Sequence, residues 1–152
     1  MDAAPKKSRR FMQRLYRAAH GGVIISFEDT MEDRRLTRVT KICLALPEAT
    51  REIHGSHASF GVRKKVFTYY QDNHHGDGII GINCKVLKGD NTRLIESEPQ
   101  KFFMPAYIGS RGWVGLRLDR GAVDWDEVAE LIKGSYLLTA PKTLAARVTL
   151  TM

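Results

Sequence analysis

The side chains with the most obvious chemical potential are four histidines, two cysteines and one aromatic surrounded by cations. His54 and His57 sit three positions apart, and His74 and His75 are adjacent inside Asp72-Asn-His-His-Gly-Asp-Gly78. Imidazoles at two such positions plus a carboxylate such as Asp72 or Asp77 make a metal-ligand set if their loops meet. Nothing in the spacing forces them together, so solvated turn histidines are the simpler expectation, with no metal assigned. Cys43 and Cys84 stand alone, without a second pair or a Cys-x-x-Cys motif, and read as reduced buried thiols. The chain contains no G-x-S-x-G, no P-loop and no dinucleotide fingerprint, so neither a catalytic centre nor a cofactor is predicted.

The remaining candidate is a surface. In Trp113-Val-Gly-Leu-Arg-Leu-Asp119, apolar residues alternate, so Val114, Leu116 and Leu118 share one face while Trp113 and Arg117 take the other. Ile80, Ile82 and Cys84 alternate in the same way with Asn83 and Lys85. An aromatic beside two cations and an amide is what stacking and phosphate binding require, and Tyr107 and Arg111 lie just upstream. The candidate ligand-binding residues are therefore Asn83, Lys85, Tyr107, Arg111, Trp113 and Arg117. Two arrangements fit this pattern: an open Trp113 ring, or one covered by the Phe102 to Ile108 segment and rimmed by basic side chains.

Charge alone does not choose a ligand. Lys and Arg number 24 against 17 Asp and Glu in 152 residues, a net +7. Residues 1–25 carry six of the cations and one acid, leaving 18 cations against 16 acids in residues 26–152. The excess belongs mostly to a basic leader, residues 1–30, which is expected to be flexible and to precede a single domain over residues 31–152. No apolar run approaches the roughly 18 residues that span a bilayer, and neither a signal peptide nor a membrane partner is predicted. These features predict a cytoplasmic protein, and they leave its oligomeric state open.

The elements that must position these residues follow from periodicity. From Met31, the residues Leu36, Val39, Ile42, Cys43 and Leu46 recur at helical spacing until Pro47. The acids Glu28, Asp29, Glu32 and Asp33 stand at its start, where acids are ordinary. Between Thr50 and Val86 the period becomes two, giving strands through Phe60 and Val62, through Val66 to Tyr70, and through Ile80 to Val86. Arg63-Lys64 is a short connection, and residues 72–78 form a hairpin turn. A short helix is expected around Thr92 to Glu96. Asp124 with Glu127 caps a second long helix that stops before Pro141. The order predicts an α+β fold, an antiparallel sheet with helices packed on one face and the other face partly free.

Several of these residues carry a resemblance. Leu46-Pro47, Phe60-Gly61-Val62, Lys65-Val66-Phe67, the strand ending in Lys85, Gly112-Trp113-Val114, Leu131-Ile132, Ser135-Tyr136 and Ala140-Pro141-Lys142 resemble the MmcQ/YjbR-like family. The likeness runs from about Met31 to Arg147. It implies a CyaY-like, that is frataxin-like, two-layer sandwich and a bacterial cytoplasmic protein. It also implies DNA binding through a double-wing-like arrangement of strands, with no enzymatic role established for the family. The iron binding of frataxin relatives does not carry over, because the first helix continues with Arg34, Arg35, Arg38 and Lys41. The leading expectation is a non-enzymatic binding module for nucleic acid, and the alternative is a small-molecule-binding protein or enzyme with a pocket near Trp113 and Tyr107.

Overall fold

The computed structural model describes residues 33–150. The basic leader and the acids Glu28, Asp29 and Glu32 lie outside the described residues. Residues from Arg38 onward form one compact unit, which contains the whole sheet. Helix α1 (Arg34–Leu44) leads into strands β1 (Thr50–His54), β2 (His57–Val62), β3 (Lys65–Asp72) and β4 (Ile80–Lys85). Helix α2 (Asp90–Ser97), strands β5 (Phe102–Phe103) and β6 (Trp113–Arg117), and helices α3 (Trp125–Thr139) and α4 (Lys142–Leu150) complete the chain. The strands form one sheet in the order β1-β2-β3-β4-β6-β5. Every neighbouring pair is antiparallel, which confirms the α+β class.

The alternation expected of β4 and β6 sets the core. Register places Ile82 opposite Leu116 and Cys84 opposite Val114, with Tyr70 and Thr68 next to them on β3. All six are buried on the face that α3 covers with Val128, Ile132 and Tyr136. The Phe67 and Tyr136 rings meet edge to face at 5.3 Å, an arrangement that aromatic quadrupoles favour. Asp124 caps α3 as its sequence suggests, its Oδ1 accepting from the backbone N–H of Asp126 and Glu127.

Helix α1 joins the same face. Its Cys43 lies beside Cys84 and Thr68, and Thr68 Oγ1 is 3.6 Å from Cys84 Sγ. Burial pushes the Cys84 thiol up to about 12. Burial raises the Cys43 thiol further, with Cys84 adding to the effect. Both thiols are therefore packing groups rather than nucleophiles. Arg51 of β1 donates to Thr40 Oγ1 at 3.0 Å, and the Arg38 guanidinium lies 4.4 Å from the centre of the Trp125 ring, so the helix is tied to the sheet edge and to the start of α3.

One side chain spans the centre of the sheet. The β3 and β4 pairing runs from Asp72 opposite Ile80 to Thr68 opposite Cys84 and stops there. Just before it stops, β3 bulges, because one step along β2 from Phe60 to Gly61 matches two steps from Thr68 to Val66. The Ser135 hydroxyl enters this gap from α3, accepting from the Lys85 N–H at 2.8 Å and donating to the Phe67 carbonyl. It thus satisfies a backbone donor and a backbone acceptor that the sheet leaves unpaired. Ser135→Ala orphans both groups and is expected to cost about 2 to 4 kcal/mol. Urea unfolding measures that loss, and hydrogen exchange localises it to the Lys85 amide.

Candidate cationic end of the sheet

The second face of the sheet carries Tyr69, Gln71, Asn83, Trp113, Gly115 and Arg117, and it is largely closed. Trp113 is covered rather than open, with 9% of its surface exposed. Its ring packs at 5.4 Å against Tyr69. Gly115 explains how the neighbouring ground is covered. A Cβ there would collide with the Phe103 ring, so the glycine lets the edge-strand aromatic lie directly on the sheet.

The polar residues on this face are occupied by one another. Asn83 is 7% exposed and donates to Gln71 Oε1 at 3.0 Å, and Gln71 donates to Asp77 Oδ2 at 3.2 Å. Arg117 makes a two-pronged ion pair with Asp119, both distances 3.0 Å. Burial alone would raise the Asp119 carboxyl. The Arg117 guanidinium and the Ile80 N–H together outweigh it and hold the group below the usual carboxylate range. A depression of about 100 Å³ opens beside Lys101, Leu116, Arg117 and Glu127. It is well short of the roughly 300 Å³ at which pockets begin to enclose an organic ligand.

The structure separates the six candidates by the ends of the strands. At one end lie the His54 to His57 turn, the Asp72 to Ile80 turn, Arg117 and Asp119; Asn83 sits in the middle. At the other end β2 turns into β3, β4 finishes at Lys85 and β6 begins at Trp113. Lys85 is half-buried there, while Arg111 and Tyr107 stand exposed in the β5–β6 loop. Three further cations at this end were not singled out by sequence: Lys64 and Lys65 at the β2–β3 hairpin and Lys88 just beyond β4. The signal for the first two was the Arg63-Lys64-Lys65 run itself. Among the described residues, Lys64, Lys65, Lys85, Lys88 and Arg111 form no ion pair, whereas Arg63 is held bidentately by Glu48 at 2.8 and 2.9 Å.

The hairpin that presents these cations is conformationally expensive. Val62 pairs with Lys65, so Arg63 and Lys64 are the two turn residues, with φ of 50° and 68°. Two-residue hairpins of this type favour Asn-Gly or Asp-Gly, because longer side chains are strained at positive φ.

The histidines partly converge. His74 lies 5.3 Å from His57 and 4.0 Å from His75, ring centre to ring centre, while His54 pairs instead with Glu52. His57 Nε2 meets the Asp72 carbonyl at 3.0 Å. Among the described residues, no three His, Cys, Asp or Glu side chains are placed to hold a metal ion.

An antiparallel six-stranded sheet backed by helices defines a small α+β protein of the sheet-and-helix class. The YjbR family model matches residues 44–138, well over half of the chain, and the chain belongs to that family. The crystal structure of Deinococcus radiodurans protein DR2400, with the family-model domain DUF419, is similar over 75% of this chain and 87% of its own. The two are 19% identical with a TM-score of 0.59, a likeness of fold. No curated protein matches the chain. Among the described residues, no helix is long and apolar enough to cross a membrane.

The covered face and the histidine turn can each be tested by substitution. Gly115→Ala drives a methyl group into the Phe103 ring and is expected to cost about 1 to 3 kcal/mol. Combined with Phe103→Ala, the loss falls below the sum of the two single variants, as denaturant midpoints will show. At the turn, burial and the neighbouring His75 and His57 lower the His74 pKa. The unfolded chain therefore takes a proton that the folded turn resists, and stability falls as pH drops through the ordinary histidine range near 6.5. His74→Asn is expected to reduce that fall slightly in urea unfolding compared at about pH 8 and about pH 5.5.

Proposed function

We propose that this YjbR-family chain is a non-enzymatic nucleic-acid-binding module that grips phosphates with the cationic end of its sheet. The observation that carries the reading is the distribution of paired and unpaired cations. Arg117 is neutralised by Asp119, and Lys101 reaches Glu127 at 2.6 Å and Glu98 at 3.3 Å. Lys64, Lys65, Lys85, Lys88 and Arg111 have no such partners among the described residues and collect at one end. Like charges gathered without counter-charges repel one another; the phosphates of a polyanion relieve that repulsion, and the counterions they release add a favourable, salt-dependent entropy.

The geometry supports a phosphate-tracking role in two further ways. The Arg63-Lys64 turn closes the β2–β3 hairpin, the element read here as a wing, and keeps basic residues where Asn-Gly would be easier to form. Glu48 holds Arg63 and so steadies the base of the wing. A small-molecule site between Tyr107 and Trp113 has less support, since the Tyr107 ring stands in solvent while Trp113 is packed on Tyr69. Of the residues singled out by sequence, Lys85, Tyr107 and Arg111 therefore belong to the proposed surface, with Lys64, Lys65 and Lys88 added.

Fluorescence anisotropy on a labelled mixed-sequence DNA at several salt concentrations tests the reading. Replacing Lys64, Lys65, Lys88 and Arg111 together by Ala is expected to weaken binding and to flatten the salt dependence by roughly 0.7 to 0.9 in log-log slope for each phosphate no longer neutralised. An unchanged affinity and slope would remove the cationic end from consideration.

A further inference from the structure

We infer that the cationic end takes an unpaired stretch of nucleic acid, with the Tyr107 ring as the platform on which one base stacks. The inference rests on the nucleic-acid reading and adds the strandedness of the ligand and the residue that selects it.

The backbone at Tyr107 is unusual. Ile108 N–H donates to the Ala106 carbonyl at 2.8 Å, two residues back, which closes a γ-turn centred on Tyr107. Tyr107 has φ of +67°, so this is the rare, strained form of that turn. A bulky side chain is poorly suited to positive φ, and glycine would adopt it without penalty. Yet a tyrosine stands there, and 82% of its surface is exposed. Its ring neither fills the core nor meets another described ring, so packing does not repay the strain. Strain held at an exposed aromatic points to what the ring does in solvent.

The rest of the loop makes the turn a firm support. Gly109 N–H donates to the Pro105 carbonyl, Arg111 N–H to Ile108 and Gly112 N–H to Gly109, all within 3.1 Å. From α2, the buried Asn91 donates to the Gly109 carbonyl at 2.9 Å and the Trp113 carbonyl at 3.2 Å, fastening the loop to the start of β6. Met104 fills the space where a Gly109 side chain would stand. The ring is thus offered from a braced apex, and Arg111 leaves the same loop four residues on. Val86 N–H donates to the Gly112 carbonyl, which joins this loop to the segment carrying Leu87 and Lys88.

A single aromatic face beside cations fits an unstacked base with its flanking phosphates. Bases inside a duplex are already stacked on their neighbours and offer no face to an added ring, whereas single strands do. The exposed Leu87, 63% accessible, also suits the edge of a splayed base.

The full chain is titrated with a labelled single strand of about 12 nucleotides, a length within the range of single-strand binding sites, and with the duplex of the same sequence. Tyr107→Gly is expected to lower single-strand affinity roughly 5- to 100-fold and to leave duplex affinity within about twofold. Tyr107→Phe retains binding. Because glycine relieves the turn, the melting temperature of Tyr107→Gly stays level or rises, which separates lost stacking from lost folding. If Tyr107→Gly binds the single strand as wild type does while the cation variant loses it, the stacking role is overturned and the nucleic-acid reading stands. If the wild-type chain binds neither strand form, the nucleic-acid reading fails and this inference with it. Binding to vesicles of anionic lipid but not to either nucleic acid, abolished in Tyr107→Gly, would likewise overturn both in favour of a membrane surface.

Discussion

The hydroxyl of Ser135 is the point at which helix, sheet and candidate surface become one arrangement. Strands β3 and β4 cannot stay paired past Thr68 and Cys84, because the bulge at Phe67 turns β3 away. In the gap, two buried backbone groups would each cost free energy comparable to a lost hydrogen bond. A hydroxyl is the smallest side-chain group that can both donate and accept, and α3 delivers one there. The adjacent residue on the helix, Tyr136, then packs on Phe67 and donates to the Pro47 carbonyl at 2.8 Å, fixing the turn that precedes β1. Because the strands part at this end, the Lys64-Lys65 hairpin and the Lys85 to Lys88 segment leave the sheet separately. The separation gives the cations two supports instead of one crowded row.

Electrostatics reinforces the same polarity along the strands. The Arg117–Asp119 pair is half-buried and bidentate, so it helps to hold the fold and also cancels charge at that end. Arg117 and Lys101 are cations by composition but present little net charge, each facing carboxylates. At the other end Glu48 takes up Arg63, and the remaining cations are left uncompensated among the described residues. A net +7 for the whole chain, or +2 for residues 26–152, conceals this sorting, because a total cannot record which charges are neighbours.

Legibility from sequence followed the strength of local signals. Period-two alternation placed Val114, Leu116, Ile82 and Cys84 on one face because burial of that face is what creates the alternation. The cap at Asp124 and the two-residue connection at Arg63-Lys64 were readable for similar reasons, each being a local geometry with local residue preferences. Strand β1 was not, since all five of its residues are exposed and no alternation exists to be read. Strand β5 is two residues long, and α4 begins directly after Pro141, where a helix end was the stronger signal. The burial of Trp113 depended on partners distant in sequence, Tyr69 above all, and on a glycine opposite Phe103 whose meaning appears only once β5 and β6 are paired.

Tyr107 illustrates the opposite case, a position where local preference and observed conformation disagree. Six non-glycine residues among those described have positive φ: Glu48, Arg63, Lys64, Asn73, His75 and Tyr107. Asn73 and His75 belong to the histidine turn, and asparagine and histidine tolerate that region comparatively well. The other four are long or bulky residues, and all four lie at the cationic end of the sheet. At about 1 to 2 kcal/mol each, their strain is a substantial part of the roughly 5 to 15 kcal/mol by which domains are usually stable. Glycine or asparagine at these turns would remove most of it. Glu48 and Arg63 recover part of that cost by holding each other bidentately, whereas Lys64 and Tyr107 have no such return among the described contacts, and it is these two that the proposed ligand would meet, one by its charge and the other by its ring.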